Sequence, residues 1–331
     1  MKILNTLTDI RKVFLCCSAA IAVAYAAPGQ AAYPDKPINL IVGYGAGGSV
    51  DYIARKVAAG LEKQLGRQVV VQNFGGASGS IGAGKVVNAA PDGYTLLLGS
   101  GSEVAIAWQV NPALQYNGLK DLAPIALVAT SPMVLLGNNK LSVNNLNELI
   151  AHSKSSSQGF TMATSGVGTP QDLLRAYINN AAGTKIENIP YRSAQSIFTD
   201  VISGRVDLSI LTLSSALPYI ASNQLKGFAV TGSKRSDALP NLPFLAENKD
   251  LAGANFGLWF GLLGPANLPK NIAEQLNKAV AEVTKDPALI ADFKKQDLLI
   301  ETGSVKDFTV FVKADADKYK SIIDKNNIRL N

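Results

Sequence analysis

Apolar residues fall into two alternating rhythms along this chain. Short runs rich in Val, Ile and Leu are separated by amphipathic stretches of about ten to sixteen residues, a pattern that predicts an α/β fold built on parallel strands. In the first unit, Ile38 to Tyr44 reads as a buried strand and GYGAGGSVD as a turn. Tyr52 to Leu65 then reads as a helix, with Ile53, Val57, Leu61 and Leu65 on one face and Gly66 past its end. A strand from Val69 to Gln72 runs into NFGGASGSIG, and a second helix reaches about Ala90. The PDG turn at Pro91 to Gly93 opens a third strand, Tyr94 to Leu98.

Between Ala123 and Gly137 two apolar pieces, APIALVA and PMVLLG, join at Thr130 and Ser131 and read as a crossing into a second lobe. That lobe is predicted to hold helices Val143 to Ser153, Pro170 to Ala181 and Ala194 to Ile202. Its strands are Thr161 to Ala163, Glu187 to Pro190, Val206 to Leu211 and Gly227 to Thr231. FGLWFGLLGP is the return crossing, and helices Lys270 to Lys285 and Val305 to Asn326 complete the first lobe. The expected division is 32–130 plus 257–331 for lobe 1 and 131–256 for lobe 2, with no internal repeat. Two crossing strands act as a hinge over a cleft where strand ends and helix starts collect.

The amino-terminal segment changes the compartment. Lys2, Arg11 and Lys12 lead into an apolar stretch from Val13 to Ala27, followed by small residues. At roughly fifteen residues this is shorter than the ~20 that span a bilayer, so residues 1–31 read as a cleaved signal peptide, cut after Ala31 or Ala32. The expected location is the periplasm. Cys16 and Cys17 both lie inside it, which leaves the mature chain without thiols or cysteine metal ligands. Setting aside Lys2, Asp9, Arg11 and Lys12 lowers the net charge from +6 to +4. The basic residues are scattered, without aromatic interleaving, so nucleic-acid binding is not expected. The lone histidine, His152, sits in a polar helix end and reads as a surface residue. One imidazole without cysteine leaves no expected metal site, and a serine hydrolase built on Ser49, Ser100 or Ser165 lacks its base.

GYGAGG matches G-x-G-x-x-G through Gly43, Gly45 and Gly48, but Gln72 and Asn73 stand where a dinucleotide fold needs an acidic residue for the ribose. No cofactor is expected. The physical content remains: glycines after a strand let backbone N–H groups approach an anion, and the next helix points its positive end at the same spot. GGASGSIG repeats the device in the first lobe. TSGVGTPQD supplies it from the second, with Thr169 as N-cap, Pro170 at the first helical position and Asp172 three after the cap; another helix starts near Ser193 and Ala194. Glycine loops in both lobes favour an anion clamp.

These residues resemble a known family. YPDKPINLIVGYGAGGSVDYIARKVAAGLEKQLGRQVVVQN, AAPDGYTLLLGS, TSGVGTPQDLL, IPYR, SGRVDLSI, FAVTGSKRSDALPNLP, LWFGLLGPANLP and NNIRL are similar, in order, to the Bug-type solute-binding proteins of tripartite tricarboxylate transporters. The resemblance implies a two-lobed, type II-like periplasmic binding protein fold. It also implies a small carboxylate ligand, a di- or tricarboxylate or an aromatic carboxylate, and membrane transporter subunits as partners. The receptor is expected to be a monomer and not an enzyme. The alternative output is presentation of the ligand to a membrane sensor kinase.

Carrying the family's binding loops onto this chain implicates Tyr44, Gly45, Ala46, Gly47, Gly48, Ser49 and Asp51, then Ser78 and Gly79, then Ser100, Gly101 and Ser102. From the second lobe it implicates Thr164, Ser165, Gly166, Val167, Gly168 and Thr169, then Tyr191 to Ala194, Ser193 included. Asp51 has two open roles, a ligand or water contact and a partner for backbone donors at the helix start. The family usually has proline at Gly43 and Ala46, phenylalanine at Tyr44, histidine at Asp172 and glycine at Ser193. Where relatives often carry aspartate this chain has Leu211, which removes a partner for a ligand ammonium and favours an apolar ligand body. Trp108 and Trp259 have two open readings, lining the cleft or packing in the core and along the crossing strands, with packing favoured.

Overall fold

The computed structural model describes residues 33–329 apart from Arg192, Ser233, Lys234, Asn255 and Asn327. The signal peptide expected over residues 1–31, with both cysteines, lies outside the described residues, as do Arg192 of IPYR and part of the terminal NNIRL. Strand β1 (Ile38–Val42) lies between β2 (Val69–Asn73) and β3 (Thr95–Ser100), parallel to both. Its INLIV sequence suits that place, because a strand with neighbours on each side and helices on both faces buries nearly every side chain. Helix α1 (Ser49–Leu65) buries Ile53, Ala54, Val57, Ala58 and Leu61 and stops at Gly66, whose left-handed backbone donates its N–H to the Glu62 carbonyl. Helix α2 (Ser80–Val87) follows β2.

Strand β4 (Leu122–Ser131) passes through Pro132 into β5 (Met133–Asn138), which belongs to a different sheet. That second sheet carries β6 (Phe160–Thr164), β7 (Ile186–Pro190), β8 (Leu208–Thr212) and β9 (Leu225–Val230) in the order β7-β6-β8-β5-β9. Helices α3 (Leu146–Ser155), α4 (Pro170–Ala182), α5 (Ala194–Ser203) and α6 (Leu213–Ala221) connect them. The chain returns along β10 (Leu258–Pro265) and continues through α7 (Lys270–Val283), α8 (Pro287–Lys295), β11 (Leu299–Ile300) and α9 (Val305–Asn326). The first sheet reads β11-β4-β10-β3-β1-β2.

The sheets are mixed, which corrects the expectation of parallel strands throughout. β10 runs antiparallel to both β3 and β4, and β5 runs antiparallel to both β8 and β9. A chain that leaves a lobe along one strand and returns along its neighbour must run the two in opposite senses. Each sheet thus joins three parallel strands to one reversed strand, β2-β1-β3 to β10 and β7-β6-β8 to β5. The topology repeats although the sequence does not.

The periodicity did not predict α6, α8 or the π-helical turn Ser102–Ile106. Pro218 inside α6 reads as a breaker, and Pro287 at the head of α8 reads as a loop although Asp286 caps that helix by accepting from Ala288 N–H. Trp259, Phe308 and Val312 pack with Ile41, Leu97 and Leu263 in one core; Val134, Leu136, Ile197, Phe198 and Val201 build the other. Helix α9 packs on β4 and also on α4, where the Tyr319, Phe256 and Tyr177 rings lie 6.2 and 5.6 Å apart in sequence of contact.

Candidate ligand-binding site

The loop from Gly43 to Gly48 joins β1 to α1. A Cβ on Gly43 would sit 2.5 Å from the Gly79 carbonyl oxygen, so this backbone lies directly against the loop that precedes α2. Helix α1 begins at Gly48, which has no side chain to cap it, and its first N–H groups receive no side-chain cap. The loop is braced from behind. Asp51, 4% exposed, accepts Gly47 N–H on Oδ2 at 2.9 Å and Asn73 Nδ2 on Oδ1 at 3.0 Å, while Arg55 donates to both oxygens at 3.0 Å. Burial raises the Asp51 pKa, yet hydrogen bonds from Arg55, Gly47 and Asn73 outweigh it and hold the carboxyl below its usual range. With two donors on each oxygen, Asp51 is saturated inside its own lobe, and the geometry favours its loop-building role.

Lobe 2 repeats this device. Asp172, 2% exposed, accepts Gly168 N–H at 3.0 Å and both Nε and a terminal nitrogen of Arg175 at 2.9 and 2.8 Å. In both lobes a glycine N–H reaches the aspartate four residues on, in the first turn of the following helix, and an arginine one turn later closes the brace. Thr169 caps α4 by accepting Asp172 N–H and donates its hydroxyl to Gly166 O at 2.8 Å.

The loop before α2 is strained. Ala77 and Ser78 have φ of 47° and 53°, a region non-glycine residues enter at a cost of roughly 1–3 kcal/mol each. The Ser78 carbonyl accepts the Tyr44 hydroxyl at 3.2 Å, and a Cβ on Gly166 of lobe 2 would lie 3.1 Å from Ser78 Oγ. Tyr44 also donates to Glu103 Oε2 at 3.0 Å and lies 3.4 Å from Ser100 Oγ. Glu103 is fully buried and accepts Ser100 N–H at 2.7 Å and the Ser100 hydroxyl at 2.8 Å. Burial pushes its carboxyl up to about 7, against the opposing pull of those hydrogen bonds. Burial and the neighbouring Glu103 charge push the Tyr44 hydroxyl well above its ordinary value, so it remains a neutral donor.

Across the gap, Ser49 Oγ lies 3.1 Å from Thr212 Oγ1 and 3.4 Å from Ser214 Oγ; Thr212 in turn lies 2.8 Å from Ser215 Oγ. Thr212 begins α6 without capping it by its side chain. The structure thus brings together Tyr44, Ser49, Ser78, Gly79, Ser100 and Gly166, with uncapped helix starts at Gly48, Gly79 and Thr212. Gly45, Ala46 and Gly47 are exposed on the same loop, Ser102 is buried next to Glu103, and Gly101 backs onto Trp259 Nε1. Ser165 and Val167 are half-buried beside Gly166.

Other implicated residues have partners within lobe 2. Tyr191 donates its N–H to Thr164 O at 2.8 Å but sends its hydroxyl to Asp200 at 2.6 Å; Thr164 itself hydrogen-bonds Asn188. Ser193 caps α5 and meets Ser196, while Ala194 packs on the lobe 2 core. Leu211, 3% exposed, belongs to that core with Ile197 and Val201, because side chains alternate along β8 and its neighbour Thr212 takes the outward place. Implicated for the site, Leu211 is thus a core residue whose side chain packs within lobe 2. Trp108 and Trp259 satisfy their indole N–H groups on Val104 O and Asp315 Oδ2. A depression of about 320 Å³ between Ser80–Asn88 and Asn111–Tyr116 lies outside this constellation.

Sequence reasoning missed Thr212, Ser214, Ser215 and Glu103. It also missed Gln171, 7% exposed at the second position of α4, whose Oε1 has no hydrogen-bond partner among the described residues. Serines after a strand that ends in threonine were the available signal for the hydroxyl cluster. Among the described residues no group of three His, Cys, Asp or Glu is placed to hold a metal. What the arrangement offers is neutral donors and helix N-termini, the chemistry that replaces water around an anion.

Residues 53–328 match the family described as the tripartite tricarboxylate transporter family receptor. A protein of Agrobacterium vitis, named for the TAR-I ttuE-ttuC' intergenic region, is 35% identical over 274 residues, which cover 83% of this chain and 79% of its own length. The periplasmic binding protein BugD is 29% identical and superposes with a TM-score of 0.82 over 90% of this chain and 99% of its own. An R. palustris protein solved with adipate is 26% identical, with a TM-score of 0.84 over 90% of this chain and 99% of its own. The matched family is one of transporter receptors, BugD is a periplasmic binding protein, and both solved neighbours share the two-lobed α/β fold. The Bug-type motifs, the paired sheets and this match agree, and the chain belongs to the tripartite tricarboxylate transporter receptor family of periplasmic solute-binding proteins.

Proposed function

We propose that this protein captures a small carboxylate between its two lobes in the periplasm and delivers it to the membrane subunits of a tripartite tricarboxylate transporter. The single observation that carries the reading is that each lobe holds an aspartate-braced glycine loop and that the two lobes face each other beside those loops, Ser49 next to Thr212 and Ser214, and Ser78 next to Gly166. The ligand class is a di- or tricarboxylate or an aromatic carboxylate, supported by the adipate held by the R. palustris relative. Signal-peptide cleavage near Ala31 releases a monomer whose lobes comprise 32–130 with 257–331, and 131–256; sheet membership supports that division.

The binding residues are those of the Tyr44–Ser49, Ser78–Gly79, Ser100–Ser102 and Thr164–Thr169 loops, to which Thr212 and Ser214 are added. Hydrogen bonds to a charged group contribute about 1.5–3 kcal/mol each. Five or six of them, after the costs of association and desolvation, leave the ~8 kcal/mol of a micromolar complex. Isothermal titration calorimetry with adipate, malate, citrate and benzoate tests the reading. Micromolar binding of at least one, weakened by Ser49→Ala, is the expected result. Absence of binding across the panel, with thermal stability equally unmoved, overturns it. A knockout strain that takes up the bound carboxylate at the wild-type rate overturns the delivery step.

A further inference from the structure

Three loops of lobe 1 meet at one side chain that none of them contains. The Glu103 carboxyl receives the Tyr44 hydroxyl of the first loop and both the N–H and hydroxyl of Ser100 at the third. It also lies so close to the second loop that a Cβ on Gly79 would stand 2.8 Å from Oε2. It is carried on the π-helical turn Ser102–Ile106, and Tyr116 donates to its backbone carbonyl at 2.9 Å. Among the described residues no lysine or arginine pairs with it. Tyr44 and Tyr116 face it, both with raised pKa values that keep them neutral. Of the charged groups on the elements packed around it, Asp315 is tied to Trp259 and Lys318, and Asp121 accepts Asn117 N–H. Lys85 covers the Phe74 ring, and Lys120 is exposed.

We propose that Glu103 is a proton-linked positioning residue: it holds the three loops in register and takes up a proton when an anionic ligand settles on them, so affinity rises as pH falls. The proposal rests on the carboxylate-receptor reading above. Its physical basis is that two negative charges sharing one desolvated site repel strongly, and a proton on Glu103 removes the repulsion without removing the loop anchor. Burial already brings Glu103 to about 7, so the exchange falls near neutral pH rather than in acid. The sign follows: a ligand anion raises the Glu103 pKa further, binding takes up a proton, and deprotonation above neutrality weakens binding.

Calorimetry with adipate, whose carboxyls stay ionised between about pH 6 and 8.5, tests this on the mature protein. The dissociation constant is expected to weaken by approaching tenfold across that range, the change produced when the ligand raises Glu103 by about one unit. Buffers of different ionisation enthalpy are expected to show proton uptake near neutral pH. Glu103→Gln keeps the hydrogen-bonding shape and is expected to bind with a flat pH profile and no uptake. Tyr44→Phe removes a donor that lowers the Glu103 pKa, and is expected to move the wild-type midpoint upward, an independent reading should Glu103→Gln not fold. His152→Gln should leave the profile in place. A wild-type affinity that is flat with pH, or a slope that survives in Glu103→Gln or vanishes in His152→Gln, overturns the proposal while leaving the receptor reading intact. Failure of every carboxylate to bind at any pH overturns both.

Discussion

Asp51 and Asp172 hold their glycine loops by the same contact in two lobes that share no recognisable sequence repeat. Each is buried, and each replaces the solvation it has lost with an arginine and a loop N–H. Asp51→Asn and Asp172→Asn should each cost about 1.5–3 kcal/mol, the scale of hydrogen bonds to a charged group, in urea denaturation. Because the folded Asp51 carboxyl lies below its unfolded value of about 3.9, its contribution is present above that pH and lost as pH falls through the lowered value. Wild-type stability should therefore fall more steeply than that of Asp51→Asn in acid, as measured by denaturation at a series of pH values. Gly79→Ala should be costly, since it combines φ of 90° with a 2.8 Å clash on Glu103, whereas Gly45→Ala, with no atom within 4 Å of the added methyl, should leave the melting temperature unchanged. The glycines were legible in the sequence. Glu103 was not, because nothing in SGSEVAIAW distinguishes a buried carboxyl from a solvated one.

Helix starts divide into two kinds. Those at Asn145, Thr169, Ser193 and Asp286 are capped by their own side chains, while those at Gly48, Gly79, Thr212 and Pro269 are not, and Gly48, Gly79 and Thr212 of this second group belong to the candidate site. A capped N-terminus has spent a donor on its own chain; an uncapped one keeps it for an anion. Thr169→Ala should lose about 1 kcal/mol of stability through the lost cap, whereas Thr212→Val, whose hydroxyl caps no helix, should lose about 0.5–1.5 kcal/mol through its hydroxyl contacts and also bind the ligand less tightly in calorimetry. Periodicity located most helices and strands because burial of one face imposes it. It failed at α6, where Pro218 interrupts the pattern, and at the π-helical turn, where a fully buried SEVAI segment has no polar face.

At the scale of the molecule, the contact of Ser49 with Thr212 and Ser214 ties residues 163 and 165 apart in sequence across the hinge. A hydroxyl pair of this kind contributes about 0.5–1.5 kcal/mol, enough to bias an open–closed equilibrium by roughly two- to tenfold but not to lock it. The double variant Ser49→Ala with Thr212→Val should have a larger radius of gyration in small-angle scattering without ligand, and saturating carboxylate should restore the wild-type value. An unchanged radius would remove this contact from the closure.

By itself, the sequence determined the alternation of strands and helices, the two crossings, the glycine turns and the capped helix starts, because each of these is set by hydrogen bonding and burial within a few residues. Tertiary structure alone decided the reversed sense of β5 and β10, the core place of Leu211 and the meeting of Tyr44, Gly79 and Ser100 on Glu103. Those depend on segments far apart in the chain being pressed together, 59 residues for Tyr44 and Glu103 and more for β3 and β10, and whether a carboxyl is then left dry is a property of the assembled lobe and not of its neighbours along the chain.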